Sequence, residues 1–398
     1  MDTTRRQYID RYSDDGVVRM PFLTSLLEQG VVLDDHQQCA SWTFPSTNCT
    51  LSGTLLEEME HVPRFGASGS PVPEGQRTIS GLLRDQGFHT ILVSSNGWLD
   101  PADGNAQGYT DFRFEGGAAS VFDGGLSMLE DALAEQQPER WMMHLHFIEP
   151  HDAYNPPSRL MPELEELDPI DYDPGTQWGH DSIKADYPGL PTEEQELIKQ
   201  HLQIRYTGEL RWLDEQLEDG WRELEKRGLL DDTLVVFWTD HGEAFWERGR
   251  QAHAWFLGAE ENDALLGFWH RDLQPRSWSG PTHSVDLMPT VLQALGITPP
   301  DDLAGEIIGL APEDRIRFTA VDGFIGVYQA VTVEGWKLQI GWDGSVGLWD
   351  RNTDRMETRD LYVPGHPKFN ELWPLLRERV LLMEPLVPEH QVEWGLLP

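Results

Sequence analysis

A chain of 398 residues, 39% of them hydrophobic, can bury a large core, with room for one large domain and a smaller appended unit or for two similar ones. Its 68 acidic against 30 basic residues give a formal net charge of −38, a surface that repels nucleic acid and anionic membranes, so neither is expected as a partner. No apolar run is long enough to span a bilayer and no secretory leader is visible, so a soluble, cytoplasmic protein is the expectation. Only five of the basic residues are Lys and 25 are Arg, a bias that would suit concentrated salt; an ordinary acidic enzyme is the simpler reading. Cys39 and Cys49 form neither a disulfide framework nor a zinc-site spacing and read as packing residues.

In chain order, residues 78–86 predict a helix ending near Gly87, followed by a strand over His89–Ser95. Residues 141–148 form a second short apolar run of strand length. The segment 154–198 holds Pro156, Pro157, Pro162, Pro169, Pro174, Pro188 and Pro191 among many acids and predicts a long loop. Ile204, Leu210, Leu213, Leu217 and Leu224 share one face of a long helix that stops at Gly228. Asp231 and Asp232 then turn the chain into a buried strand, Leu234–Trp238. Helix, turn and buried strand in alternation predict an α/β fold with a largely parallel central sheet. Beyond Pro299 and Pro300 the pattern changes, and 315–349 reads as a small antiparallel sheet, with helical spacing over 370–382. The expected division is therefore 1–311 and 312–398.

Three segments carry chemistry. In Trp42–Gly53 (WTFPSTNCTLSG), Pro45 suits the first position of a helix, which puts Thr43 just before a helix N-terminus. An alkoxide or bound oxyanion gains there; a Thr that merely caps the helix is the alternative. The segment TDHGE follows the strand ending at Trp238, so Asp240 and His241 emerge where open α/β sheets bind ligands, and they suit a divalent cation or else cap the next helix. His151, after the run 141–148, lies on a third such edge and could bind an oxyanion, protonate a leaving group, or be structural.

Taken together, TFPSTNCTLSG, HFIEPHDAYNPP, YTGELRWLDEQL, TDHGE, HSVDLMPTVLQALGI and LWDRNTDRMETRDL, in that order along the chain, resemble the sulfatase family of the alkaline phosphatase superfamily. The resemblance implies helices flanking a central sheet, a C-terminal antiparallel subdomain and metal-dependent hydrolysis of a small anionic ester. Asp2-Thr3-Thr4-Arg5 matches the end of the family's first strand, which makes Asp2 a metal ligand and places the body of that strand before Met1. VVLDDH at 31–36 is a poorer match, because the helix that should separate it from the nucleophile, 21–31, precedes it. One divalent cation (Ca²⁺, Mn²⁺ or Zn²⁺) would be held by Asp2, Asp240, His241 and Thr43. Thr43 stands where the family has Cys or Ser; the extra methyl on its Cβ forbids oxidation to an aldehyde, so it would act as a simple alkoxide, and phosphate esters become as natural a substrate as sulfates. Thr3 and Thr47 replace an Asp and an Arg of the family pattern, and His253 stands near a missing Lys. His151 and His253 would bind non-bridging oxygens or assist the leaving group, with Asn96 a further pocket residue. A phosphoryl transferase and a catalytically impaired relative are the rival readings.

Overall fold

The computed structural model is described for residues 1–59, 72–103 and 105–380. Helix α1 (Pro21–Glu28) leads into strand β1 (Val31–Gln37), and helix α2 (Thr43–Ser52) closes on Gly53 at a φ of 66°, a conformation glycine adopts without strain. Helix α3 (Ile79–Asp85), capped by the Thr78 hydroxyl accepting from the Gly81 N–H, feeds β2 (Phe88–Ser94). Then come β3 (Asp111–Phe114), α4 (Ala118–Glu135) and β4 (Arg140–His146). Two further helices, α5 (Gln177–Asp186) and α6 (Thr192–Lys226), precede β5 (Val235–Trp238). The large unit closes with β6 (Ala244–Phe245), β7 (Gln251–Ala252), α7 (Ala259–Asn262), β8 (Leu266–Trp269), β9 (Arg276–His283) and α8 (Leu287–Ala294). A meander of β10 (Arg317–Gly323), β11 (Gly326–Val333), β12 (Trp336–Gly341) and β13 (Val346–Asp350) follows, with α9 (Pro367–Val380) packed on it.

The chain forms an α/β fold around two sheets. In the order β3-β2-β4 all pairs are parallel; in the order β5-β8-β1-β9, β1 and β9 are parallel and β8 is antiparallel to both its neighbours. The edges β4 and β5 are bridged by the first residues of the chain. The Met1 amino group donates to the Trp238 carbonyl at 3.2 Å, the Asp2 N–H to the Phe147 carbonyl at 3.0 Å, and the Asp240 N–H to the Met1 carbonyl at 3.3 Å.

Several expectations need correction. Residues 154–198 are not one loop, because α5 and the first turns of α6 occupy much of them; the prolines fall between the helices, and Pro191 directly precedes α6. The buried stripe of α6 runs Ile198, Leu202, Tyr206, Leu210, Leu213, Leu217 and Leu224, while Ile204 is only half-buried. This stripe packs with Leu23 and Leu27 of α1 and Phe122 and Leu129 of α4, each fully buried leucine stabilising the fold by roughly 1.5–3 kcal/mol. The strand expected to be buried, β5, is half-buried throughout, as an edge strand. No correction is needed for VVLDDH, the poorer match for the ligand strand: it forms the inner strand β1, and its Asp35 pairs with Arg317 at 2.9 Å. The last two residues of the helix expected over 370–382 lie outside the described residues. Among the described residues no helix is long and apolar enough to cross a membrane.

The cysteines are also corrected: Cys39 and Cys49 are joined in a disulfide. The bond ties the second half of α2 to the segment just after β1, and the Ala320 N–H of β10 donates to the Cys39 carbonyl at 2.8 Å, so the C-terminal meander braces the same spot. Its sequence separation is 10 residues, for which loop-closure entropy predicts a stabilisation of about 3 kcal/mol. Alkylation of the unfolded, unreduced protein is expected to find no free thiol, and a Cys39→Ser/Cys49→Ser double variant should lose stability of that order in denaturant titration; two alkylated thiols in the oxidised protein would contradict the assignment.

Candidate active site

Five chain segments, those of Asp2, Thr43, Asn96, His146 and Asp240–His241, converge beyond the carboxyl ends of β2, β4 and β5. Helix α2 begins at Thr43, so Trp42 holds the capping position and Pro45 is the third helical residue, two places later than the sequence suggested. The Thr43 hydroxyl does not cap the helix. It lies 3.4 Å from both carboxylate oxygens of Asp2 and 3.3 Å from His241 Nε2, and accepts from Asn96 Nδ2 at 3.3 Å. Asn96 follows β2 and also donates to Asp2 Oδ2. His146, the last residue of β4, places Nε2 3.4 Å from that same oxygen.

Asp240 and His241 leave the end of β5. Asp240 Oδ1 accepts from the N–H groups of Thr3 at 3.2 Å and His241 at 2.9 Å, while its Oδ2 has no hydrogen-bond partner. His241 Nδ1 faces the Gly242 carbonyl at 2.9 Å, which assigns the proton to Nδ1 and turns the Nε2 lone pair toward Asp2 at 3.5 Å and Asp240 at 3.6 Å. Asp2, Asp240 and His241 are fully buried, and each offers one ligand atom within 4.8 Å of the others. Two buried carboxylates around a neutral imidazole, one carboxylate oxygen orphaned, make a strongly unfavourable arrangement without a cation. A divalent ion fits this donor set of two carboxylates and one imidazole.

The histidines continue outward in a row. The His253 ring lies 4.5 Å from that of His241, and the His151 ring 5.0 Å from that of His253. Burial lowers the His253 pKa to about 4, with the charge of His151 adding to the effect. Burial also opposes charge on His151, but its bond to Asp152 and the Asp2 carboxylate outweigh that and raise it to about 10. One proton thus resides on His151 and the inner ring stays neutral. Burial would raise Asp2, yet the His146 bond and the charges of His151 and His241 hold it well below the usual carboxylate range.

All seven residues singled out in the sequence, Asp2, Thr43, Asn96, His151, Asp240, His241 and His253, therefore lie in this cluster. Thr47 does not reach it, because its hydroxyl bonds back to the Thr43 carbonyl at 2.7 Å. Thr3 contributes a backbone N–H rather than a side chain. Sequence reasoning missed His146, which lies within the 141–148 run and gains its role only from the approach of Asp2. It also missed Glu243, fully buried with Oε1 3.5 Å from His253 Nδ1, and pushed up by burial to about 8.

The sulfatase family model matches residues 1–297. The chain belongs to the sulfatase family. The choline-sulfatase of Rhizobium meliloti (strain 1021) is 26% identical over 171 residues, 40% of this chain and 32% of that protein. The lipoteichoic acid synthase of Staphylococcus saprophyticus is 32% identical over 100 residues, 23% of this chain and 15% of that protein. The matches thus span about a third or less of these curated relatives. Among solved structures, the phosphonate monoester hydrolase of Silicibacter pomeroyi superposes with a TM-score of 0.71 at 18% identity, covering 98% of this chain and 96% of that one. A protein solved with its substrate D-glucosamine-2-N,6-O-disulfate gives 0.70 at 16% identity, covering 99% and 96%. These likenesses establish the sulfatase fold over the whole chain. The family is metal-dependent, and Asp2, Asp240 and His241 form a group that could hold a metal ion.

Asp240→Ala or His241→Ala should therefore lower bound metal and turnover together. Elemental analysis of the wild-type protein is expected to find about one divalent ion per chain; an active, metal-free preparation would contradict the assignment.

Proposed function

We propose that this protein is a metal-dependent hydrolase of sulfate or phosphate esters in which Thr43 is the covalent nucleophile. The observation that carries the reading is the direction of the Thr43 hydroxyl: from the first turn of α2 it faces Asp2, Asn96 and His241 instead of capping its own helix. Asp2, Asp240 and His241 would hold a divalent cation, which would favour ionisation of an adjacent hydroxyl; Thr43 loses its proton to solvent and attacks as the alkoxide. Oγ1 then bonds to sulfur or phosphorus, and the ester oxygen departs with the bonding pair. Water attacks the same atom in a second step and releases Oγ1. The helix N-terminus stabilises negative charge at Oγ1, and Asn96 Nδ2, already donating to Asp2 and Thr43, is placed to hold a non-bridging oxygen.

The lipoteichoic acid synthase match favours one second reading, in which an alcohol other than water accepts the group from Thr43. Product analysis with and without added alcohols separates the two. On compartment, disulfides persist mainly in oxidising surroundings, so the Cys39–Cys49 bond favours a location outside the cytoplasm over the cytoplasmic one expected from sequence.

Thr43→Ala is expected to lose at least about 10³-fold in kcat on aryl sulfates, aryl phosphates and phosphodiesters alike while keeping its fold. A variant that keeps more than a tenth of the wild-type rate would reduce Thr43 to a structural residue.

A further inference from the structure

Helix α5, which lies in the segment expected to be a loop, brings two side chains to Asp152. His180 Nδ1 lies 3.0 Å and Lys184 Nζ 2.5 Å from Asp152 Oδ2. The other oxygen, Oδ1, lies 2.9 Å from His151 Nδ1, and the Asp152 backbone carbonyl is 2.8 Å from the same nitrogen. Asp152 is only 5% exposed in its side chain and His180 not at all, so this carboxylate has exchanged its hydration for a bond from Lys184 and close approaches of the His151 and His180 nitrogens. None of the three residues has a role in the reaction derived above.

The consequence falls on His151. With two oxygens facing it, Nδ1 must carry a proton, and its ring is fixed from that side. Nε2–H is then the donor left to the face of the ring away from Asp152, on a side chain 26% exposed and packed edgewise against His253. The titratable groups around His151 are Asp152, Lys184 and His180 on one side, and Asp2, His241, His253 and Glu243 on the other.

We propose that Asp152, held by Lys184 and His180, is a positioning residue that fixes His151 so that Nε2–H protonates the departing alcohol. The proposal rests on Thr43 as nucleophile. As Oγ1 bonds to sulfur or phosphorus, the bond to the ester oxygen breaks, its electron pair stays on that oxygen, and the oxygen takes the Nε2 proton. His151 is left neutral. It recovers its proton from the water that attacks the Thr43 adduct, so the cycle closes without another reactant. The raised pKa of His151, about 10, keeps this proton in place at neutral pH.

Leaving groups distinguish this role from a structural one, since a good leaving group needs no acid. The experiment compares para-nitrophenyl with simple alkyl esters in the full-length, metal-loaded enzyme. Asp152→Asn should lose about 10²–10³-fold on the alkyl ester and far less on the nitrophenyl ester. Asp152→Glu should recover part of the loss, Lys184→Met should show a smaller loss of the same selectivity, and Asp152→Asn should add nothing in a His151→Asn background. Equal losses on both esters, or additive losses in the double variant, would overturn the proposal. Thr43→Ala must abolish turnover of both esters, and its failure to do so would sink the nucleophile reading instead. A second measurement needs no turnover: NMR titration of labelled histidine should find the His151 pKa lowered by at least about one unit in Asp152→Asn, equivalent to about 1.4 kcal/mol. An unchanged titration in a folded variant would equally overturn the proposal.

Discussion

Two buried carboxylates and one imidazole facing each other at 4.8 Å or less is the constraint on which the rest of the structure depends. Like charges so placed repel strongly in a dry interior, and each would rather be in water. The fold holds them by backbone: Asp2 through its N–H on the end of β4, and Asp240 through its N–H on the Met1 carbonyl. Asn96 and His146 add donors at the ends of β2 and β4. The site therefore sits where strand ends meet, and a cation of charge two would make the arrangement favourable. The hydroxyl of Thr43 is brought to the same point by a helix whose free N–H groups favour an oxyanion.

The outer part of the site extends the same electrostatic logic. Positive charge is needed around the oxygens of an anionic ester, yet this chain has few lysines and none in the expected place after TDHGE. Instead one proton sits on His151, stabilised by Asp152, while His253 next to it stays neutral. Lys184 supplies its charge through Asp152 rather than directly. The C-terminal unit acts as a brace: Arg351 reaches Asp263 at 2.6 Å and Arg317 reaches Asp35 at 2.9 Å. Fully buried Lys337 pairs with Glu357 at 3.0 Å, the kind of ion pair that costs about 3–5 kcal/mol when one partner is removed.

Much of this was legible in the sequence, for physical reasons. Regular spacing of leucines revealed the later turns of α6, and TDHGE directly after an apolar run marked a ligand edge at Asp240 and His241. The helix of the Thr43 segment was readable from Pro45 and Gly53, although it starts two residues before Pro45, at Thr43. What failed were features set by distant partners. The proline-rich run 154–198 concealed α5, since prolines at helix boundaries resemble prolines in loops, and with it His180 and Lys184 went unseen. The Cys39–Cys49 bond was missed because two cysteines carry no pairing information until β1 and α2 are placed side by side. His146 looked like one more strand residue, and only the approach of Asp2 from the other end of the chain gives it a role.

The central claim is that Thr43 carries the transferred group. Its most direct test is a rapid acid quench during turnover of an aryl ester, followed by mass spectrometry of the peptide containing Thr43. The account predicts a stoichiometric burst of released alcohol and a fraction of that peptide heavier by one sulfuryl or phosphoryl group, located on Thr43. A burst with Thr43 unmodified, or with the group on a different residue, would contradict it.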